Sequence, residues 1–217
     1  MTIDIWSDIM CPFCYIGKRK LETALQQFPH KDKINIVWHS FQLDPTIESL
    51  PGTDLYSYLA ERKGQTRDWS VKVHQQLVET AKQEGLTYNF DKAVIANSFN
   101  AHRLIQLAKT KGLGDAAEER LFKAYFTEGE NVSDTNTLIE LGSDIGLDEA
   151  AIKHMLESEA FAQEVTDDIE KAKSYGISGV PFFVLNNKYG ISGAQPAEIF
   201  LNSLQQAWDE DEIKVKS

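Results

Sequence analysis

The sequence predicts an α/β protein in which a small mixed sheet is interrupted by a large all-helical insertion. The N-terminal part of the chain, residues 1–53, has the pattern strand, helix, strand. Only helical periodicity follows in residues 54–157, and residues 158–217 have the pattern helix, strand, strand, helix. We therefore expect a discontinuous domain formed by residues 1–53 and 158–217, and an inserted helical domain formed by residues 54–157.

The first strand and helix are indicated by alternation and by a proline. Thr2–Trp6 alternates apolar and polar side chains with period two, as a half-buried strand does. Pro12 suits the first turn of a helix, because its missing N–H has no partner at that position. We expect this helix to continue to about Phe28 and to stop near Pro29. The apolar run of residues 34–41 then predicts the second strand of a βαβ unit.

The insertion is predicted to contain about five helical segments and no strand. Apolar residues recur at helical spacing from Ala101 to Ala108. Asp134 and Asp148 are typical of helix N-caps, since their carboxylates accept hydrogen bonds from the first unpaired amides.

The C-terminal part is predicted to be a helix, a hairpin and a last helix. The first helix is expected to begin at Ser158. Phe182–Leu185 predicts a strand, and Asn186-Asn187 is typical of a two-residue hairpin turn before a short second strand. The last helix opens after Pro196, and we expect its charged end, residues 209–217, to be frayed.

Composition limits the partners of the protein. The chain has 217 residues, 42% of them hydrophobic, and a formal net charge of −11 with a pI near 4.9. This charge argues against nucleic acid and anionic membrane surfaces as partners. No apolar run reaches the roughly 18 residues of a membrane span, and no signal-peptide pattern precedes the first strand. We expect a cytoplasmic protein, and the sequence does not indicate its oligomeric state.

The two cysteines form a Cys11-Pro12-Phe13-Cys14 motif between the first strand and the first helix. The unpaired N–H groups and the dipole of a helix N-terminus stabilise a thiolate, which is the reactive form of cysteine. Helical register places Cys14 on the buried stripe with Leu21. We therefore predict that Cys11 is the exposed, attacking thiol and that Cys14 is the shielded thiol that resolves the mixed disulfide.

Two alternative interpretations of the cysteine pair, a zinc site and a structural disulfide, have less support. A structural zinc site normally needs four ligands, and the five histidines show no paired spacing; we predict no metal. A purely structural disulfide would close a very small loop and constrain the unfolded chain little.

Three segments carry a resemblance to a known family. They are Ser7–Gly17, which contains the cysteine motif, Asn100–Leu104 in the insertion, and Gly176–Val184 before the hairpin. On these segments the chain resembles the DsbA family of thioredoxin-fold oxidoreductases, most closely its FrnE-like branch. The resemblance implies a thioredoxin-like fold with a large all-helical insertion.

The resemblance also implies roles for further residues. It implies a cis Val180–Pro181 bond beside the dithiol, with the backbone before Pro181 available to an extended substrate. Phe13, Val180 and His102 are the expected substrate contacts. His102 has two open interpretations, a satisfied histidine at the domain interface or a side chain that faces the dithiol. Phe13, Trp6, Phe182 and Phe183 are candidates for an apolar substrate rim, although the two neighbouring phenylalanines cannot share one face of a strand.

The chain departs from the family pattern near the motif. Phe13 stands where well-known periplasmic members have histidine, so the thiolate should be less stable and the disulfide a weaker oxidant. Ile5 stands where many relatives have a buried acid. Asp8 is nearer to the motif and is either a proton-handling group or a turn residue.

The predicted function is that of a thiol–disulfide oxidoreductase of the disulfide reductase or isomerase type, in which Pro181 shapes the substrate groove. Its partners would be a disulfide-containing protein or a small thiol substrate, and a thiol reductant. No resident cofactor is expected, and glutathione is a candidate thiol co-substrate. Two alternatives stay open: a glutathione-dependent isomerase or transferase of the kappa or hydroxychromene-carboxylate isomerase type, and a chaperone-like binding module without chemistry.

Overall fold

The structure is a computed structural model that describes the backbone of residues 1–216 and the side chains of residues 1–211. In the described chain the order of elements is β1 (Thr2–Ser7), α1 (Pro12–Gln27), β2 (Asn35–Ser40), α2 (Leu55–Arg62), α3 (Arg67–Gln83), α4 (Phe99–Lys109), α5 (Gly114–Lys123), α6 (Thr135–Asp144), α7 (Glu149–Glu157), α8 (Ala162–Ser174), β3 (Phe182–Leu185), β4 (Tyr189–Ser192) and α9 (Ala197–Lys216). The predicted α/β class, with a mixed sheet and a helical insertion, is confirmed.

The chain divides into two compact units. The first consists of Met1–Leu43 and Thr166–Ser217, and the second of Asp44–Val165. The helical unit is therefore wider at both ends than the predicted insertion of residues 54–157. The helical unit begins at Asp44 instead of residue 54. It ends at Val165 instead of residue 157, so that it includes the first turn of α8.

The sheet of the first unit has the strand order β2-β1-β3-β4. Strand β1 is parallel to β2 and antiparallel to β3, and β3 and β4 form a hairpin. At its turn Asn186 and Asn187 have φ of 50° and 53°, as a type I′ turn requires. The predicted hairpin is confirmed.

Alternation along the strands gives the sheet two different apolar faces. Ile3, Ile5 and Phe183 are buried against α1 and α9 on one face. Trp6 and Val184 lie on the opposite face, where residues of α8 and of the segment before β3 cover them. Phe182 and Phe183 therefore point in opposite directions. Full burial of such side chains stabilises the fold by roughly 1.5–3 kcal/mol each.

The second unit contains six α-helices, α2 to α7, and a short π-helix at Ala124–Glu128, whereas about five helical segments were predicted. The predicted N-caps are present: the Asp134 carboxylate accepts from the Thr137 amide at 2.9 Å, and the Asp148 carboxylate from the Ala151 amide at 3.0 Å. As predicted, residues 54–157 contain no strand; Leu50, just before them, forms only an isolated antiparallel bridge with Ile95.

Arg103 determines how the chain leaves α7. Its guanidinium donates to the Ala160 carbonyl at 2.9 Å and also to the carbonyls of Met155 and Ser158. These carbonyls are drawn to the arginine rather than into a new helix. The expected helix start at Ser158 is therefore wrong: α8 begins at Ala162, after Phe161 in the left-handed region at φ 64°.

The C-terminal helix is longer and better attached than expected. It continues to Lys216, and Ser217 lies outside the described residues. Glu210 accepts hydrogen bonds from Lys188 and Tyr189 in the hairpin strand and the turn before it. The expectation of a frayed end is therefore wrong for residues 209–211, and the side chains of residues 212–217 lie outside the described residues. Within the residues described, no helix has the length and apolar character needed to cross a membrane.

Candidate active site

The two cysteines stand at the start of α1. The chain leaves β1 at Ser7 and turns, so that the Cys11 amide donates to the Asp8 carbonyl at 2.9 Å. Cys11 is the N-cap residue of α1, with extended backbone at φ −93° and ψ 110°, and Pro12 is in the first turn. No side chain caps this end. The thiol therefore lies at a helix N-terminus, where the dipole and the unpaired amides favour negative charge.

Both thiols are reduced and buried. Cys11 is 4% exposed and Cys14 is 1% exposed. The prediction of an exposed Cys11 is therefore wrong. Helical register gives the direction of a side chain around the helix axis, but it does not show what covers the end of the helix. Here the Cys11 thiol donates to the Val180 carbonyl oxygen at 3.4 Å.

The surroundings of Cys14 keep it neutral. Burial, followed by its hydrogen bond to Cys11 and by the charge at Cys11, raises the pKa of the Cys14 thiol well above its ordinary value of 9.0. Hydrogen bonds from the Asp8 backbone and the Ser7 side chain act in the opposite direction. A thiol that stays protonated does not compete as a nucleophile, so the two sulfurs have different chemistry even though both are buried.

The raised pKa of Cys14 predicts a pH dependence of stability for the reduced protein. The unfolded chain releases the Cys14 proton first, so this stabilisation is complete below pH about 9 and is lost as the pH rises through the higher folded pKa. Urea unfolding of the reduced protein should show a falling free energy of unfolding above that pH. The Cys14→Ala variant is the control and should show a smaller fall. Equal slopes in the two proteins would contradict the assignment.

The Val180–Pro181 segment lies against the first turns of α1. The peptide bond between the two residues is cis. A Cβ atom built on Gly17 would lie 3.0 Å from the Pro181 Cγ atom, so the proline ring packs directly on the helix one turn beyond Cys14. The structure thus brings Cys11, Cys14, Val180 and Pro181 together within the first unit.

The remaining predicted site residues have different surroundings. Phe13 is 48% exposed, next to the dithiol in the first turn of α1. Trp6 and Phe183 are fully buried, so they do not contribute to an apolar rim. His102 is buried on α4 of the second unit, and its role toward the dithiol stays a prediction.

Asp8 holds the turn that precedes Cys11. One carboxylate oxygen accepts from the Met10 amide at 3.2 Å and the other from the Leu43 amide at 2.7 Å. These bonds favour the turn-residue interpretation over proton handling. Lys18, one turn after Cys14, is 3% exposed and paired with Glu22.

A buried polar network on the α8 face of the sheet escaped prediction. It consists of Asp4 on β1, His39 on β2 and Asp168 on α8. A signal was present, because two neighbouring predicted strands each carry a titratable residue that can point to the same face. The sequence could not supply the register that places them together. Among side chains of residues 1–211, no group of three or more His, Cys, Asp or Glu is arranged to hold a metal ion.

Comparisons with known proteins agree with this geometry. The family model for DSBA-like thioredoxin domains matches residues 2–205. The crystal structure of a probable DsbA oxidoreductase from Streptomyces coelicolor is 38% identical, with a TM-score of 0.91, and the match covers 97% of this chain and 91% of that one.

Two more distant structures share the fold. A 2-hydroxychromene-2-carboxylate isomerase is 20% identical with a TM-score of 0.69, and the match covers 100% of both chains. A cytosolic disulfide reductase from Pseudomonas aeruginosa is 18% identical with a TM-score of 0.67, over 96% of this chain and 99% of that one. At these identities the likeness shows the fold alone.

Proposed function

This chain belongs to the DSBA-like thioredoxin domain family, and we propose that its disulfide oxidoreductase chemistry uses Cys11 and Cys14 to reduce or isomerise disulfides. One observation carries the proposal: Cys11, at the N-terminus of α1, contacts the neutral thiol of Cys14. The Val180–Pro181 segment lies beside this pair.

The reaction proceeds in two exchange steps. The Cys11 thiolate attacks one sulfur of a substrate disulfide, a Cys11–substrate bond forms, and the other substrate sulfur leaves and takes a proton. Cys14 then loses its proton and attacks the Cys11 sulfur, which releases the second substrate thiol. The substrate gains two electrons and the enzyme holds a Cys11–Cys14 disulfide. An external thiol reductant, for which glutathione is the candidate, returns it to the dithiol.

Substrate recognition is proposed for the surface next to the dithiol. Phe13 offers an exposed apolar ring. The backbone at Val180 already accepts a hydrogen bond from Cys11, and an extended substrate segment would pair with the same stretch before Pro181. His102 is proposed as a further substrate-contacting residue.

The residues around the sulfurs support the reducing direction. Phe13 supplies no positive charge to stabilise the Cys11 thiolate, and a less stable thiolate gives a disulfide that is harder to reduce. The chain has no cysteines besides the pair, as is common in reducing compartments, which supports a cytoplasmic location. We also propose that this chain belongs to the FrnE-like branch of the family.

The reduction potential of the Cys11–Cys14 couple tests this proposal. Equilibration with glutathione redox buffers, followed by thiol alkylation and mass spectrometry, measures it. We expect a value near the roughly −270 mV of thioredoxin rather than the roughly −120 mV of DsbA. A value near −120 mV would assign the oxidising direction instead. Failure to form a Cys11–Cys14 disulfide at any potential would refute the mechanism.

A further inference from the structure

The Asp4–His39–Asp168 network consists of two short contacts made by one imidazole ring. His39 Nε2 lies 2.6 Å from Asp4 Oδ1, and His39 Nδ1 lies 2.5 Å from Asp168 Oδ1. The two ring nitrogens of His39 therefore bridge carboxylates from two different elements, β1 and α8. Lys171 Nζ lies 3.7 Å from Asp4 Oδ1. The lysine thus places a positive charge beside the carboxylates, which offsets part of the cost of burying them.

The network attaches α8 to the sheet. Besides its contact with His39, Asp168 accepts from the Ser40 amide at 2.9 Å through its second carboxylate oxygen, and its backbone carbonyl accepts from Trp6 Nε1 at 3.0 Å. Trp6 in turn stacks on His39, with ring centroids 4.5 Å apart. To the apolar cluster on this face α8 contributes only the small side chain of Ala172. Polar contacts through Asp168 therefore carry much of the attachment.

The attachment point is close in the chain to the candidate active site. Helix α8 ends at Ser174, and residues 175–179 lead directly to Val180. This short connection is itself fixed on the same face, because Ile177 and Val180 pack in the cluster with Trp6. Because Ala172 of α8 packs in the same cluster as Val180, a displacement of α8 would disturb the Val180 carbonyl, which lies 3.4 Å from the Cys11 sulfur.

We propose that Asp168 and His39 are positioning residues for disulfide exchange. They fix α8 on the sheet and so hold the Val180–Pro181 segment beside Cys11, in the place where an extended substrate pairs with it. The proposal rests on the proposed function for its substrate, and on the contacts of α8 for its mechanism.

The test compares Asp168→Asn with Asp167→Asn. Asp167 is the neighbouring residue on α8, it is exposed, and its replacement removes the same charge. Each variant is assayed with a disulfide-bonded peptide, which needs the Val180–Pro181 segment, and with a small aromatic disulfide, which needs only the Cys11 sulfur. Loss of a charge-assisted hydrogen bond should raise the KM for the peptide about tenfold in Asp168→Asn. The rate with the small disulfide should stay within about twofold, and Asp167→Asn should match the wild type.

Several results would overturn the proposal. One is an unchanged peptide KM in Asp168→Asn. Another is a parallel fall of both activities that follows the folded fraction, because that pattern marks a merely structural role. If Asp168→Asn does not fold, His39→Gln is measured in the same way and the same criteria apply.

The test also separates this proposal from the proposed function. A wild type that turns over neither disulfide contradicts the proposed function. In that case positioning is read from the alkylation rate of Cys11, which should rise severalfold in Asp168→Asn because the covering Val180 carbonyl shifts. An alkylation rate equal to that of Asp167→Asn would overturn the positioning role.

Discussion

Replacement of Cys11 by serine is expected to reduce disulfide exchange to the uncatalysed background, whereas Cys14→Ser should accumulate mixed disulfides. The two results differ because the first variant lacks the attacking thiolate and the second lacks only the group that resolves the mixed disulfide. Insulin reduction measures turnover, and non-reducing electrophoresis with mass spectrometry detects the trapped species. The mixed disulfide should be released by added dithiothreitol.

The same pair of variants separates the alternative functions. The double variant Cys11→Ser, Cys14→Ser is the control for both, since it removes all the cysteine chemistry of the chain. If Cys14→Ser turned over disulfides at the wild-type rate with glutathione, a single-thiol, glutathione-linked reaction would replace the dithiol mechanism. If the double variant still suppressed aggregation of unfolded proteins as well as the wild type, the binding-module alternative would be favoured.

Local patterns predicted the elements around the dithiol well. The alternation of Thr2–Trp6, the proline after Cys11 and the Asn186-Asn187 turn each depend on nearby residues, and β1, α1 and the hairpin form as expected. Such features depend on backbone preferences that act within a few residues. They sufficed to place the cysteines at a helix N-terminus.

Features that depend on distant contacts were not predictable. Cys11 is buried, and the group that lies on its sulfur is the carbonyl of Val180, 169 residues away in the chain. Asp4 and His39 meet because β1 and β2 pair in a particular parallel register, with Trp6 opposite His39. The late start of α8 depends on Arg103 from another helix. In each case a tertiary contact overrides the local pattern.

Gly17 is the residue of α1 at which the helix and the Val180–Pro181 segment come closest. A Cβ atom there would lie 3.0 Å from Pro181 Cγ and 3.2 Å from Phe183 Cζ, closer than most side chains tolerate. At an open position inside a helix, replacement of glycine by alanine stabilises by about 1 kcal/mol. Overpacking costs about 1–3 kcal/mol and opposes this gain. The change in the free energy of unfolding on replacement of Gly17 therefore measures how tightly Pro181 packs on α1.

We expect Gly17→Ala to leave the free energy of unfolding unchanged or to lower it by up to about 2 kcal/mol, and Gly17→Val to lower it by about 3 kcal/mol or more. Gly17→Val should also lose activity toward protein disulfides, because the larger side chain pushes Pro181 away from the dithiol. Urea unfolding of the reduced proteins and insulin reduction measure the two effects. Gly179→Ala is the matched control for stability: it lies next to Val180, its added Cβ would meet no atom within 4 Å, and its free energy of unfolding should not fall below that of the wild type. A gain of about 1 kcal/mol in Gly17→Ala, as at an open helix position, would contradict the packing of Pro181 on α1.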